Sequence, residues 1–302
     1  MTALVSIVIR TKDRPVYLRR ALASIAAQTY GEWEAIIVND GGSLHEVESV
    51  VAQTAASTRE RVRIVTHDTP QGRWQAANAG VRAARGDLLI LHDDDDSWAP
   101  AFLALATDYL ERSPERLGVV SRIEIVWEER SGNSIVELRR EPFLPDSVAP
   151  LLMDQQRFNQ FVPIAFLYRR SLHDTIGLYD ESLPVVGDWV FNTRVLEMGA
   201  LEYLDGPPLV HWHQRPTAQG VDGNSVIAAR EEHRRVDALL RDQQFRTFVS
   251  EHGAGGVLYF ERRLRETEEL LKSEMAIVRQ DSLHPLRALY RRARRKFSHG
   301  TD

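Results

Sequence analysis

The chain has no cysteine among its 302 residues. That absence excludes disulfide staples, thiolate zinc sites and a cysteine nucleophile, and it suits a reducing compartment. Long apolar runs are missing as well: no stretch approaches the roughly 20 apolar residues of a membrane-spanning helix. The apolar segment Leu4 to Ile9 lacks a basic stretch before it and ends at Arg10 and Lys12, so it is not read as a secretory leader. The expectation is a cytoplasmic chain. There is no Gly-x-x-x-x-Gly-Lys-Ser/Thr segment, and Arg10-Thr11-Lys12-Asp13-Arg14 stands where a Gly-x-Gly-x-x-Gly fingerprint would follow the first strand. P-loop and dinucleotide-binding readings therefore fail. An excess of positive charge is also absent: net charge is -5 and pI about 6.1, which does not suggest a nucleic-acid partner.

What is present suits a globular protein. Hydrophobic residues make up 43% and charged residues 27%, enough for a sizeable core. The length accommodates one large α/β domain with an appendage, or two modest domains. Val5 to Ile9 is short, apolar and β-branched, and reads as a buried strand; Trp33 to Val38, Arg61 to Thr66 and Leu88 to Leu91 read as further strands. Segments 16–28, 44–56 and 74–84 between them read as helices. This alternation predicts βαβ units and a mainly parallel sheet. Beyond residue 100 the pattern is mixed. Val119 to Trp127 and Ile135 to Leu138 predict strands around a hairpin at Ser131-Gly132-Asn133, 161–168 another strand, and 189–198 a helix. From about 226 onward the chain reads as helical.

The fourth strand runs into His92-Asp93-Asp94-Asp95-Asp96. Four carboxylates at a strand end repel one another, which raises their pKa values or calls for a cation. Hard divalent cations prefer carboxylate oxygens and share them with phosphate. The run thus points to a metal–diphosphate site. It equally fits a solvated acidic turn in which Asp96 or Ser97 caps a helix.

An ordered set of motifs goes further. Val5 to Pro15, Leu18-Arg19-Arg20-Ala21-Leu22, Gln28-Thr29-Tyr30, Trp33-Glu34 and Val38-Asn39-Asp40-Gly41-Gly42-Ser43 resemble the start of family 2 glycosyltransferases with the GT-A fold. Gly72-Arg73 and Ala77-Asn78-Ala79-Gly80 resemble the helix before that family's metal motif, and Leu91 to Trp98 its Asp-x-Asp segment. Tyr168-Arg169-Arg170-Ser171, Gly177 to Glu181 and Gly187-Asp188-Trp189 continue the likeness, which covers roughly residues 3–215. The resemblance implies a Rossmann-like nucleotide-binding fold and an inverting, metal-dependent transfer from a nucleotide-sugar, most commonly a UDP-sugar. It implies that Thr11 and Asp40 hold the base, with Asp13 nearby, and that Arg73 contacts base or phosphate. Asp93 and Asp94 would reach the ribose or the metal's outer shell, and Asp95 would ligate Mn²⁺ or Mg²⁺. Asp188 matches the family's general base, although this chain has Gly187-Asp188 where many relatives have Glu-Asp. Asp188 also fits a helix N-cap. In His211-Trp212-His213 the two histidines share a strand face. His213 is the better match to a family histidine that returns to the metal, with His211 second; the alternative is a hydrogen-bonding role in the cleft.

These readings divide the chain into a GT-A domain, 1–225, with a nucleotide-sugar half at 1–98 and an acceptor half at 99–225, and a helical extension at 226–302. The loop Arg215 to Asn224 reads as either a lid or a plain surface loop. Trp74 either shapes the donor pocket or belongs to the core. Leu286, Leu289, Tyr290, Ala293 and Phe297 share a helical face flanked by arginines, which suits either anionic lipid or a packed protein surface. Val257, Phe260, Leu264 and Leu271 roughly follow heptads, so a short coiled coil and a homo-oligomer enter as expectations. The expected acceptor is a glycan or lipid-linked molecule, in surface polysaccharide synthesis. The competing reading is a catalytically silent nucleotide-sugar- or glycan-binding module.

Overall fold

The computed structural model describes residues 2–131, 134–218, 220, 223 and 230–297. They fall into two compact units, Met1–Asp237 and Ala238–Asp302. In the first, strands β1 (Val5–Thr11), β2 (Trp33–Asp40), β3 (Val62–His67) and β4 (Leu88–Asp93) run parallel in the order β3-β2-β1-β4. Strand β2 is buried along its whole length, as a parallel strand covered on both faces must be. Helices α1 (Pro15–Ala26), α2 (Leu44–Ala52), α3 (Ala56–Arg59) and α4 (Arg73–Ala83) connect the strands. Helix α1 shows why they form. Pro15 sits in its first turn, where no amide donor is needed, and Leu18, Ala21, Leu22 and Ile25 bury one face at helical spacing.

The strand order locates the site. From β1 the chain moves outward through β2 and β3, then returns to place β4 on the other side of β1. Loops leaving the carboxyl ends of β1 and β4 therefore diverge, and a crevice opens there. The register sets Arg10 opposite Asp93 at this point.

Helix α5 (Phe102–Arg112) follows β5 (Ser97–Trp98). It was not expected, although Phe102, Leu103, Ala106 and Leu110 carry its periodicity. The expected strand Val119 to Trp127 is two strands in two sheets: β6 (Gly118–Val120) joins the main sheet, and β7 (Ile123–Ser131) joins the second. The chain breaks at Ser121, whose amide donates to the Ala165 carbonyl and whose hydroxyl donates to the Arg122 carbonyl. Strand β8 (Ser134–Phe143) pairs antiparallel with β7, as the hairpin predicts; residues 132 and 133 of its turn lie outside the described residues. The expected strand over 161–168 is a 3₁₀ turn at Pro163–Ala165 followed by β9 (Phe166–Arg169), because Pro163 has no donor for a ladder. Strand β9 runs antiparallel between β4 and β6. Helices α6 (Leu152–Gln155), α7 (Leu172–Ile176) and α8 (Gly187–Met198) follow, and β10 (Val210–Gln214) lies between β5 and β7 in the second sheet.

Two long helices, Arg230–His252 and Gly255–Phe297, end the chain. Gly253, at φ +77°, supplies the left-handed residue after the first. Phe260, Leu264 and Leu271 of the heptad-like stretch are exposed. The side chains of the basic face from Leu286 to Phe297 lie outside the described residues. Among the described residues, no helix is long and apolar enough to cross a membrane.

Candidate active site at the switch point

A cavity of about 990 Å³ opens at the carboxyl ends of β1 and β4. Of the residues singled out in the sequence, Thr11, Asp40, Arg73, Asp93, Asp94, Asp95 and Asp188 line it, whereas Asp13, His211 and His213 do not.

The acidic run is not a solvated turn. Asp94, Asp95 and Asp96 are buried, and Asp93 alone stays partly open, with its side chain 34% exposed. Neither Asp96 nor Ser97 caps a helix, since α5 begins after Ala101 without a side-chain cap. The carboxylates are met by arginines. Arg10 pairs with Asp93. Arg14 donates from Nη1 to Asp94 Oδ1 at 2.8 Å and from Nη2 to Asp95 Oδ2 at 2.7 Å. Arg215 reaches the same Asp95 oxygen and also donates to Glu128 Oε1 at 2.7 Å. Arg20 forks onto Glu128 at 2.6 and 3.2 Å. Glu128 and Arg215 are each only 1% exposed. The Tyr17 ring lies 4.9 Å from the Arg14 guanidinium and 4.3 Å from that of Arg215, within cation–π range.

The titrations follow from this crowding. Burial opposes ionisation of Asp95, but Arg14 and Arg215 outweigh it and hold the carboxyl well below the usual range. Burial pushes Asp94 up to about 7 despite Arg14. Burial, with Asp95 beside it, also raises Asp96 well above the ordinary value. Glu128 is drawn down to about 2: burial resists, and the hydrogen bonds from His213 and Arg20 prevail.

The expected metal ligands are engaged by protein partners. His213 Nδ1 meets Glu128 Oε2 at 2.7 Å, its Nε2 meets Ser97 Oγ at 2.8 Å, and its amide donates to Asp96 Oδ1 at 2.8 Å. Both ring nitrogens are thus engaged away from Asp95. His211 Nε2 lies 3.9 Å from Glu124. Among the described residues, no group of three or more His, Asp or Glu is placed to hold a metal ion. Carboxylates suit a hard cation chemically, but as arranged this donor set does not fit one, because guanidinium groups take the Asp95 carboxylate. The segment Arg215 to Asn224, read as either a lid or a plain surface loop, begins at a buried residue, Arg215; residues 219, 221, 222 and 224 lie outside the described residues.

The nucleotide half is held by short bonds. Thr11 Oγ1 donates to Asp94 Oδ2 at 2.7 Å. Asp13, at φ +53°, accepts the Ser43 amide at 2.9 Å and so braces the Gly41-Gly42-Ser43 turn. Asp40 accepts the amides of Gln71 and Gly72 at 2.8 and 2.9 Å and faces His67 Nδ1 at 2.8 Å. A carboxylate offers about four acceptor positions, so roughly one remains for a ligand.

Asp188 comes from the start of α8. Its N-cap reading fails: the N-cap residue is Val186, with no side-chain cap. Val186 is β-branched yet left-handed at φ 57°, a strained conformation of the kind that gathers at functional sites. Gly187 is explained by its neighbour, since a Cβ there would lie 2.6 Å from the Trp74 indole. Trp74 is buried, stacks on Tyr179 and lines the cavity, so core and pocket roles coincide. Asp188 is half-buried and accepts from Asn159 Nδ2 at 2.9 Å. Asn159 is itself fixed by Gln155 and Asn192, each donating to its Oδ1 at 3.0 Å. Burial raises the Asp188 carboxyl above its ordinary value. The Arg73 carbonyl accepts from Arg10 Nη1 at 3.4 Å, its guanidinium has no hydrogen-bond or ion-pair partner among the described residues, and burial with Arg10 nearby lowers its pKa. Sequence reasoning missed Arg10 and Arg14, which line the cavity, and Arg20, Glu128, Asn159 and Arg215, which bond to its carboxylates or their partners. Only the clustering of arginines near the motif at Arg10, Arg14 and Arg215 hinted at them.

A mainly parallel sheet with a charged cavity at its switch point defines an α/β protein of the kind that binds its ligand there. The chain belongs to glycosyl transferase family 2, whose model matches residues 6–177, and it is a glycosyltransferase. It is similar to YwdF, an uncharacterized glycosyltransferase of Bacillus subtilis (strain 168), at 34% identity over 63% of this chain and 67% of the relative. It is equally similar, at 34% identity over 65% of this chain and 71% of the relative, to a PGL/p-HBAD biosynthesis glycosyltransferase of Mycobacterium tuberculosis (strain ATCC 25177 / H37Ra). Among solved structures, the fold resembles S. aureus TarS 1-349 in complex with UDP-GlcNAc, with a TM-score of 0.55 and 16% identity. That likeness covers 73% of this chain and 61% of TarS 1-349; against a longer TarS chain the coverage is 70% and 36%. At this identity the likeness extends to the GT-A fold alone.

Proposed function

We propose that this chain transfers a sugar from a UDP-sugar to a hydroxyl acceptor with inversion, and that Asp188 is the general base. The reading rests above all on one cavity that gathers a half-buried carboxylate, Asp188, and a guanidinium with no hydrogen-bond or ion-pair partner among the described residues, that of Arg73. UDP as the nucleotide is supported by the TarS complexes with UDP and UDP-GlcNAc. A glycan or lipid-linked acceptor is supported by the mycobacterial relatives, which are named for PGL/p-HBAD biosynthesis.

In this reading an acceptor hydroxyl, a poor nucleophile at neutral pH, gives its proton to Asp188 as its oxygen bonds to the anomeric carbon. The bond from that carbon to the diphosphate breaks, and the electron pair leaves with UDP. Arg73 meets the charge that gathers on the departing diphosphate, as a planar fork suited to phosphate. Asn159 holds the base toward the cavity. Asp40 offers its remaining acceptor position to the base, and Thr11 steadies the strand end beneath it. A divalent cation enters only by taking Asp95 from Arg14 and Arg215, and no step is assigned to it.

Calorimetry with UDP, in Mn²⁺ and in EDTA, tests the reading together with turnover of UDP-GlcNAc and other UDP-sugars. UDP is expected to bind in at least one condition, and at least one UDP-sugar to turn over. Binding that needs Mn²⁺ and is lost in Asp95→Ala means that a cation displaces the arginines; equal binding in EDTA means that the arginines suffice. Absence of UDP binding in both conditions sinks the reading, and binding without turnover of any donor leaves a silent module instead.

A further inference from the structure

The helix Arg230–His252 brings one more side chain into the same cavity. His233 lines it together with Asp188 and Arg73. It lies one helical turn before Val236, which is buried within the first unit, so both project from one helix face. The His233 Nε2 atom is buried with no hydrogen-bond partner among the described residues. A buried ring nitrogen left unmatched costs on the order of 1–3 kcal/mol, a cost a ligand can relieve. Burial lowers the imidazole pKa, with Asp188 pulling it up and Arg73 pushing it down, so the ring tends toward the neutral form that carries a free lone pair.

We infer that His233 is a substrate-contacting residue on the acceptor side, where its Nε2 accepts a hydrogen bond from the acceptor beside Asp188. The inference rests on Asp188 being the base. Water, the simplest acceptor, has two hydrogens: one goes to Asp188 as the oxygen bonds to the anomeric carbon, and the other is held by His233 Nε2. A sugar acceptor presents a neighbouring hydroxyl in the same place. His233 takes no net proton; it aims the attacking oxygen.

The test is hydrolysis of UDP-GlcNAc, UDP-glucose and UDP-galactose by the full chain, with UDP affinity measured alongside by calorimetry. His233→Ala is expected to lower kcat about tenfold, the scale of one neutral hydrogen bond. KM for the donor and the affinity for UDP should stay within about twofold, which also reports an intact fold. His233→Gln, whose amide oxygen can reach the Nε2 position, should recover most of the loss. An unchanged kcat in His233→Ala, or a loss of UDP affinity matching the loss of rate, overturns the assignment. Asp188→Asn separates the two readings. If it is inactive while His233→Ala is unimpaired, only the histidine assignment fails. If Asp188→Asn retains full hydrolysis, or the wild type binds UDP but hydrolyses no donor, the base reading fails and the histidine assignment falls with it.

Discussion

Two groups of charged residues border the cavity and differ in how their charges are met. Around Asp95 and Glu128, three arginines and His213 saturate two buried carboxylates. Around Asp188, the Asn159 side-chain amide and the Trp189 backbone amide meet the carboxylate, while the Arg73 guanidinium and His233 Nε2 have no hydrogen-bond or ion-pair partner among the described residues. Saturated buried networks hold architecture, because breaking one strands a charge in low dielectric. Unsaturated polar groups in a cavity are ready for a ligand. The comparison predicts that substitutions in the first group damage folding and those in the second damage turnover.

The sharpest test is Asp188→Asn. It keeps shape and the contact with Asn159 but cannot take a proton. Loss of a general base costs about 10²–10⁴-fold in rate, so transfer or hydrolysis should fall by about 10³-fold, within that range, with UDP affinity nearly unchanged. A comparable loss of UDP binding would mean that Asp188 belongs to the donor-binding machinery.

Glu128→Gln probes the saturated group. Removing one partner of a buried ion-pair network costs about 3–5 kcal/mol, and denaturant unfolding should show a loss of about 3 kcal/mol, the low end of that range. Its pH dependence has a definite sign. Glu128 lies at about 2 in the fold against an ordinary 4.5, so its contribution is complete above about 4.5 and is lost as pH falls toward 2. The wild type should lose stability through that window more steeply than the variant. Equal acid profiles would show that the network contributes little.

How legible was this contrast beforehand? The parallel sheet was, because the centres of β1, β2 and β4 are short apolar runs buried on both faces and helical segments alternate with them. The switch-point site was too, because Asp93 to Asp96 stand at the end of such a run. What escaped was everything made by distant partners. Arg215 meets Asp95 across 120 positions and Asn159 meets Asp188 across 29, and no local pattern encodes either pairing. His213 was expected on a strand, returning to a metal or hydrogen-bonding in the cleft; its ring nitrogens are claimed by Glu128 and Ser97, which only the second sheet's register brings near. The split of β6 from β7 was hidden because Ser121 and Arg122 interrupt the apolar pattern for only two residues, too briefly to signal a change of sheet.

Arg73→Ala addresses the unsaturated group from the donor side. A guanidinium–phosphate contact is charge-assisted and worth about 1.5–3 kcal/mol. UDP affinity should fall by about tenfold or somewhat more, with thermal stability unchanged, since no protein partner is lost. A drop in stability without a change in affinity would place Arg73 with the structural network.

Asn159→Ala gives the smallest and most specific effect. Its Nδ2 donates to the charged form of Asp188, and removing a hydrogen bond to a carboxylate raises its pKa. Burial already raises Asp188 above its ordinary value, so the acid limb of kcat/KM should begin higher than for a free aspartate and move higher still in the variant. Activity is present above that limb and lost as pH falls through it. The plateau at high pH should change by only a few-fold, because the base remains. A plateau that collapses while the limb stays put would mean that Asn159 merely supports α8 through Gln155 and Asn192, and that the Trp189 amide, Arg10 and Arg73 hold the Asp188 titration without it.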